Sequence, residues 1–352
     1  MRASLFNHFA GIVGAAALLA ACGGPQAPQA AYPDTVAQRV VAVSDHGGSW
    51  MSPDAHRKTL LYAAVQTSCC ASGGKNLFAF VYPSGRLVGK LNVTPTDLYG
   101  ICSDAKGDIF VTSYSDYSDG TTIFEYAHAG TEPIATLNDP WNADACSVDP
   151  TTGNLAVANW YTNGQYINAN VIVYNLSTEQ YTGYSDPELP YYKWCAYDDK
   201  GNLYVDSGGF FTTHNKKRPT LAILPKGQSK FTNVTVKTSS QFIAMSLQWY
   251  NGNLVVAGNE NAIGPETLLS VRIKGTEGDV VGTTTLQDHG HGYGDDSQFV
   301  IAGNHVISGG YPGNYLHKWQ YPKGGMSRRN LATSPPGWWY GLAMSAYSPT
   351  TK

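Results

Sequence analysis

The sequence predicts an all-β fold: a six-bladed β-propeller whose C-terminal strand closes blade 1, with a seven-bladed ring as the alternative count. Three observations carry this expectation. A short segment recurs about every fifty residues, a Gly-Asn or Gly-Asp turn follows it, and the composition favours turns and aromatic strands over helices. Among 352 residues there are 38 Gly, 23 Tyr and 8 Trp, but only 14% are charged. Aromatic residues suit pleated half-buried surfaces and Gly suits tight turns. Charged helix formers are scarce.

The first element is a targeting segment. Met1-Arg2 precedes an apolar run from Phe9 to Ala21, which is shorter than the ~20 apolar residues a membrane helix needs but suits a signal-peptide core. It ends Leu19-Ala20-Ala21-Cys22, which resembles the bacterial lipobox. That resemblance implies that residues 1–21 are removed, that Cys22 carries a lipid, and that the protein sits in the bacterial cell envelope, on the outer membrane or cell surface. Residues 22–38, rich in Pro, Ala and Gln, read as a flexible tether. Residues 39–352 read as one propeller domain.

Within that domain the recurring segments centre on Met51, Cys102, Cys146, Cys195, Met245 and Met344. The one missing member falls near Asp296. Turns follow at Lys106-Gly107-Asp108, Thr152-Gly153-Asn154, Lys200-Gly201-Asn202, Asn251-Gly252-Asn253 and Gly303-Asn304, each leading into an apolar strand. A third strand comes next, as in Phe78–Tyr82, Val171–Tyr174 and Leu221–Leu224, and a short fourth closes the unit, as in Leu87–Leu91. Four short antiparallel strands per repeat is the sequence form of a propeller blade. Seven first-strand segments against six complete units leave one surplus. Gly341–Tyr347 is therefore expected to supply the inner strand of blade 1, and Pro53 makes the Met51 segment a poor strand.

The phrases Asp104-Ala105-Lys106-Gly107-Asp108-Ile109-Phe110-Val111 and Asp198-Asp199-Lys200-Gly201-Asn202-Leu203-Tyr204-Val205 resemble the NHL-repeat and SMP-30/gluconolactonase-like propellers. The resemblance implies a six-bladed ring. It also raises a metal-dependent hydrolase or lactonase activity, for which that family uses Glu, Asn and Asp ligands. Asn154, Asn202 and Asn253 recur blade after blade, which marks turn chemistry, so no family ligand transfers to a position here.

Net charge is −3, with 23 Lys+Arg against 26 Asp+Glu, which excludes the basic footprint of a nucleic-acid binder. No Gly-x-Ser-x-Gly, His-Glu-x-x-His or phosphate loop occurs. Cys102, Cys146 and Cys195 share a repeat slot with methionines and read as small core thiols. Cys69-Cys70, in a loop of blade 1, reads as a disulfide in an oxidising compartment. His46, His289, His291 and Asp296 lie in Gly-rich crossings between blades and form the candidate site for a divalent metal, calcium, zinc or manganese; otherwise no cofactor is implied. Trp50, Trp141, Trp194, Trp338 and Trp339 crowd the same crossings and are candidate ligand-binding residues. The leading function is a non-catalytic binding or scaffolding module, monomeric, attached to the membrane through Cys22 and engaging an envelope protein, peptide or glycan. The alternatives are the SMP-30-type hydrolase and a purely structural surface protein.

Overall fold

The computed structural model describes residues 35–36, 50–66, 75–92, 97–114, 120–161, 170–189, 192–206, 221–237, 242–259, 266–287, 298–309, 313–327 and 329–347. The chain divides into two units. The first, Met1–Ala30, lies outside the described residues, and the second, Ala31–Lys352, holds the propeller.

The ring has six blades. Each runs from an inner strand at the channel to an outer strand at the rim. Blade 2 comprises Asp97–Ser103, Ile109–Tyr114, Thr121–Tyr126 and Pro133–Asp139. Blade 3 comprises Asn142–Val148, Leu155–Tyr161, Asn170–Asn175 and Gln180–Tyr184; in blade 4 the strands are Cys195–Tyr197, Leu203–Asp206, Leu221–Leu224 and Thr232–Asn233. Blade 5 holds Ile243–Tyr250, Asn253–Asn259, Thr267–Lys274 and Glu277–Gln287.

Blades 1 and 6 share the seventeen-residue strand Arg329–Ser345. Its first part pairs with Gly313–Gln320 as the outer strand of blade 6, after Phe299–Ala302 and His305–Gly309. Its second part pairs Trp338 with Gln66 through Ser345 with Leu60. It thereby becomes the inner strand of blade 1, ahead of Leu60–Gln66, Lys75–Val81 and Arg86–Asn92. The expected closure is therefore what the chain adopts. The closing strand covers the inner edge of Leu60–Gln66, which would otherwise stand unpaired. The Met51 segment makes only a single bridge to Gly89 before a 3₁₀ turn at Pro53–Arg57, as Pro53 requires.

The turns follow the sequence. Gly107, Gly153, Gly201, Gly252 and Gly303 all have positive φ, from 60° to 88°, a region Gly enters without a Cβ clash. At Gly107 a Cβ would also lie 2.5 Å from the Ala346 carbonyl oxygen, so the turn and the closing strand need Gly there together.

Alternate residues on each strand enter different layers between blades. Ile109 and Val111 pack toward blade 1, while Phe110 between them packs toward blade 3. Both faces of a blade are covered, which is why the strands read as almost continuous apolar runs.

One inner-strand slot faces the next blade and holds Cys102, Ser147, Ala196, Gln248, Val300 and Met344 in turn. Ser147 Oγ accepts from the Tyr197 N–H at 3.0 Å, and Gln248 Oε1 accepts from the Ile301 N–H at 2.8 Å. Between blades 2 and 3 the connection is covalent: Cys102 and Cys146 form a disulfide. This corrects the reading of both as core thiols in one slot. Cys146 pairs with Val157 and is the counterpart of Ile101, one residue before Cys102. Neighbouring positions on a strand point to opposite faces, so sulfurs one residue out of phase on adjacent blades point at each other. Cys195 stays a free buried thiol, as expected.

Thr35–Val36 add as a fifth, antiparallel strand to Gln180 and Tyr181 at the rim of blade 3. Two parallel pairings, Thr235–Lys237 and Gly325–Met326 along Glu277–Gln287, cover the rim of blade 5.

Candidate functional site

The face that carries the connections between second and third strands gathers buried polar side chains. Asp144 comes from the inner strand of blade 3, and Asp206 ends the second strand of blade 4; both are almost fully buried. Asp206 Oδ1 accepts from the Trp194 N–H at 3.1 Å, and its carbonyl accepts from the Lys193 N–H at 3.2 Å. Lys193 is buried, with Nζ 4.6 Å from the centroid of the half-buried Trp160 ring, a cation–π distance. Burial first, then the charges of Asp206 and Asp144, hold the Cys195 thiol well above its ordinary value. The sulfur itself lies 4.0 Å from the Ala145 carbonyl oxygen and 3.9 Å from that of Ala156. A thiol so held carries no thiolate at neutral pH and is no nucleophile.

On the same face, Asp139 ends the outer strand of blade 2. Its Oδ1 accepts from the Trp141 N–H at 2.9 Å, and Asn159 Nδ2 lies 3.5 Å from its Oδ2 and 3.0 Å from Asn170 Oδ1. Burial pushes the Asp139 carboxyl up to about 6. Glu266, at the start of the third strand of blade 5, is pushed by burial to about 8, so it is mostly neutral at pH 7. Asp97 accepts from Gln66 Nε2 at 3.0 Å on blades 1 and 2.

Of the five tryptophans expected to bind ligand, two lie at this face. Trp141 is half-buried at the crossing into blade 3. Trp338 is half-buried and meets Tyr340 edge-on at 5.8 Å, and Tyr340 stacks on Tyr99 at 4.4 Å. The other three are packing residues. Trp339 is 1% exposed and sits against Phe78 and Phe80. It follows Trp338 on a strand and so faces the opposite way, into the layer between blades 1 and 6. Trp194 is 2% exposed within the core at blade 4. Trp50 lies on the opposite, hairpin-turn face, where its indole donates to the Thr131 carbonyl at 2.6 Å and its ring meets Tyr126 edge-on. Cys22, His46, Cys69, Cys70, His289, His291 and Asp296 lie outside the described residues.

Asp144, Lys193, Asp206 and Trp160 were not singled out from sequence. A signal existed, because Asp144 and Lys193 each stand two residues before Cys146 and Cys195. The same slot holds Tyr99, Met245 and Gly341 in other blades. A charge in an otherwise uncharged repeat slot marks a departure from the turn-and-core pattern.

The chemistry of this donor set does not fit the metal site that the SMP-30 resemblance implies. Among the described residues no three His, Cys, Asp or Glu side chains are grouped to hold an ion. Below this face the channel widens toward the hairpin turns into a cavity of about 280 Å³ lined by all six inner strands. Gln298 crosses its wall. Its Oε1 accepts from the Ile101 and Leu342 N–H groups at 3.1 and 2.9 Å, and its Nε2 donates to the Ile101 carbonyl at 2.9 Å. Its hydrogen bonds tie blades 6, 1 and 2 together, a structural use.

The fold has counterparts among solved structures. One described as a nidogen/laminin complex superposes with a TM-score of 0.57 at 11% identity, covering 82% of this chain and 99% of that chain. A protein from Lactobacillus plantarum gives 0.49 at 11% identity, over 82% of this chain and 99% of that one. Kuenenia stuttgartiensis hydrazine synthase gives 0.46 at 10% identity, over 64% and 63%. The nidogen/laminin likeness shows the propeller fold and nothing finer. No protein-family model matches the chain, and no curated protein matches it in sequence.

Proposed function

We propose that this protein is a non-catalytic binding module that engages a protein or peptide segment with its loop-bearing face. The observation that carries the reading is three buried charged residues on one face: Asp144, Asp206, and Lys193, which bonds through its N–H to the Asp206 carbonyl and lies over Trp160. Buried charge is costly to place even when partnered, and a group of it on one face suits a charged partner. With Asp97 added, carboxylates outnumber the lysine there. The partner segment therefore brings a cation, Lys or Arg, with apolar or aromatic residues to lie on Trp141 and Trp338.

The site of action in this reading is the bacterial envelope, with the lipid on Cys22 as anchor. The lipobox-like Leu19-Ala20-Ala21-Cys22 supports export, and so does the Cys102–Cys146 disulfide, a bond favoured in oxidising compartments. Changing Cys22 to Ser should release the protein from the membrane fraction.

Binding is tested with labelled peptides that pair aromatic residues with either Arg or Glu, measured by fluorescence polarisation on the protein lacking its lipid. The Arg peptides should bind more tightly, and salt should weaken them. Asp206→Asn keeps an acceptor for the Trp194 N–H but removes the charge, and should weaken binding about tenfold. Equal binding of both peptide charges, unchanged in Asp206→Asn, would overturn the reading.

A further inference from the structure

The hairpin-turn face carries a second recess, distinct from the charged mouth. A cleft of about 520 Å³ opens between blades 4 and 5, with Trp249 at its base, Ile223 and Ile273 on its walls, and Asp199, Thr232 and Thr276 at its rim. Its size falls within the roughly 300–1,000 Å³ typical of small-ligand sites.

Trp249 is held in one orientation from two sides. Its Nε1 donates to Asp199 Oδ2 at 2.8 Å across the blade boundary, and its ring stacks on the buried Tyr204 ring at 5.8 Å, 8° from parallel. The repeat does not require this residue: the same inner-strand slot holds Ser103, Val148, Tyr197, Ile301 and Ser345 in the other blades. Blade 5 thus places its largest side chain where other blades use mostly smaller ones, and it leaves the indole half-exposed.

The charges around the plate are of mixed sign. Asp198 is committed to its own turn. Its Oδ1 accepts from the Lys200 and Asn202 N–H groups, and its Oδ2 accepts from Asn202 Nδ2. Asp199 and Lys200 stand on the same turn with opposite charge, and the exposed Thr232 and Thr276 bring hydroxyls that both donate and accept. An anion meets Asp199 and a cation meets Lys200, so the lining selects a neutral ligand. That ligand needs a flat apolar face for the indole and a polar edge for the rim.

We propose that this cleft binds one pyranose ring of a neutral glycan. The C–H face of the sugar lies on Trp249, and its edge hydroxyls meet Asp199, Thr232 and Thr276. An aromatic face with a polar rim supplies both contacts. The site is independent of the charged mouth, so either can fail without the other.

The test is saturation-transfer NMR on the protein lacking its lipid. The probes are methyl β-glucoside, methyl β-N-acetylglucosaminide and chitotriose. At least one should receive transfer on its ring protons, and tighter binding of chitotriose would point to a polymer over a free sugar. Thr276→Arg, on an exposed turn, places a long side chain in the recess without touching the core and should weaken binding about tenfold or more. Trp249→Ala should do the same, with thermal unfolding run alongside to confirm the fold, while Asp206→Asn should leave sugar binding unchanged. No transfer from any of the three probes, or transfer surviving both Thr276→Arg and Trp249→Ala, would overturn the proposal.

Discussion

A second disulfide can be installed by one substitution, Ser147→Cys, and the native bridge shows where. Ser147 occupies in blade 3 the slot of Cys102 in blade 2, and Cys195 occupies in blade 4 the slot of Cys146 in blade 3. The sulfur environments match as well. Cys146 Sγ lies 3.6 Å from the carbonyl of Phe110, the cross-strand partner of Cys102. Cys195 Sγ lies 3.9 Å from the carbonyl of Ala156, the cross-strand partner of Ser147. Ser147 Oγ already meets the Tyr197 N–H two residues beyond Cys195. The native bridge closes a loop with a sequence separation of 44, and the new one would close ~48 residues, for which chain entropy gives ~4 kcal/mol as an upper bound. Native-state strain and residual structure commonly bring this to about 2–4 kcal/mol. The assay is intact-mass and thiol counting, followed by urea unfolding with and without reductant. The variant should lose the Cys195 thiol and unfold at higher urea, with a slope equal to or shallower than the parent's because the cross-linked unfolded chain exposes less surface. If both thiols stay free under oxidising conditions, the slot equivalence is wrong, and with it the account of why Cys102 meets Cys146.

Three further outcomes follow from the packing and burial of the ring. Replacing Cys102 and Cys146 together by Ala should lower stability by about 2–4 kcal/mol in urea while leaving the strand circular-dichroism signature intact; an unchanged midpoint would mean that the bridge only duplicates what packing already fixes. Gly341→Ala should destabilise by about 1–3 kcal/mol through overpacking, because a Cβ there would lie 2.1 Å from the Tyr99 carbonyl oxygen at the closure between blades 1 and 2; a neutral effect would show that the two inner strands can separate freely. Stability should also fall as pH rises. Burial holds Glu266 at about 8 against an ordinary 4.5, and Asp139 at about 6 against 3.8, so the folded state binds more protons than the unfolded one between those values. Their contribution is complete below about pH 4 and lost as pH passes 6 for Asp139 and 8 for Glu266. Glu266→Gln should flatten the upper part of that slope, and a stability that rises from pH 5 to 8 in the native chain would contradict the burial of these carboxyls.

Much of the ring was legible because propeller blades repeat their turn chemistry. Gly107, Gly153, Gly201, Gly252 and Gly303 announce the first hairpins, and the surplus strand Gly341–Tyr347 announces the closure. What the sequence concealed was phase. Cys102, Cys146 and Cys195 sit in similar words, Ile-Cys-Ser, Ala-Cys-Ser and Trp-Cys-Ala, and similar words suggest the same slot. A one-residue offset changes which neighbouring blade a side chain meets, and that offset turns two apparent core thiols into a bridge. The tryptophans divide between mouth and core for a related reason. Trp338 and Trp339 are adjacent in sequence, yet one reaches the mouth and the other fills the core.

The same logic explains why sites on this fold hide from motif reading. Every blade must satisfy both neighbours, so most slots accept only residues that pack, and departures from the repeat carry the information. Asp144 and Lys193 break an uncharged slot at the channel head; Trp249 breaks a slot of mostly smaller residues at the hairpin face. The first pair brings buried charge that packing alone does not need, and the second brings an aromatic plate that its own blade leaves half-exposed. Each costs either desolvation or partly unburied apolar surface, and those local costs, one on each face, are the physical ground on which the two proposed sites rest.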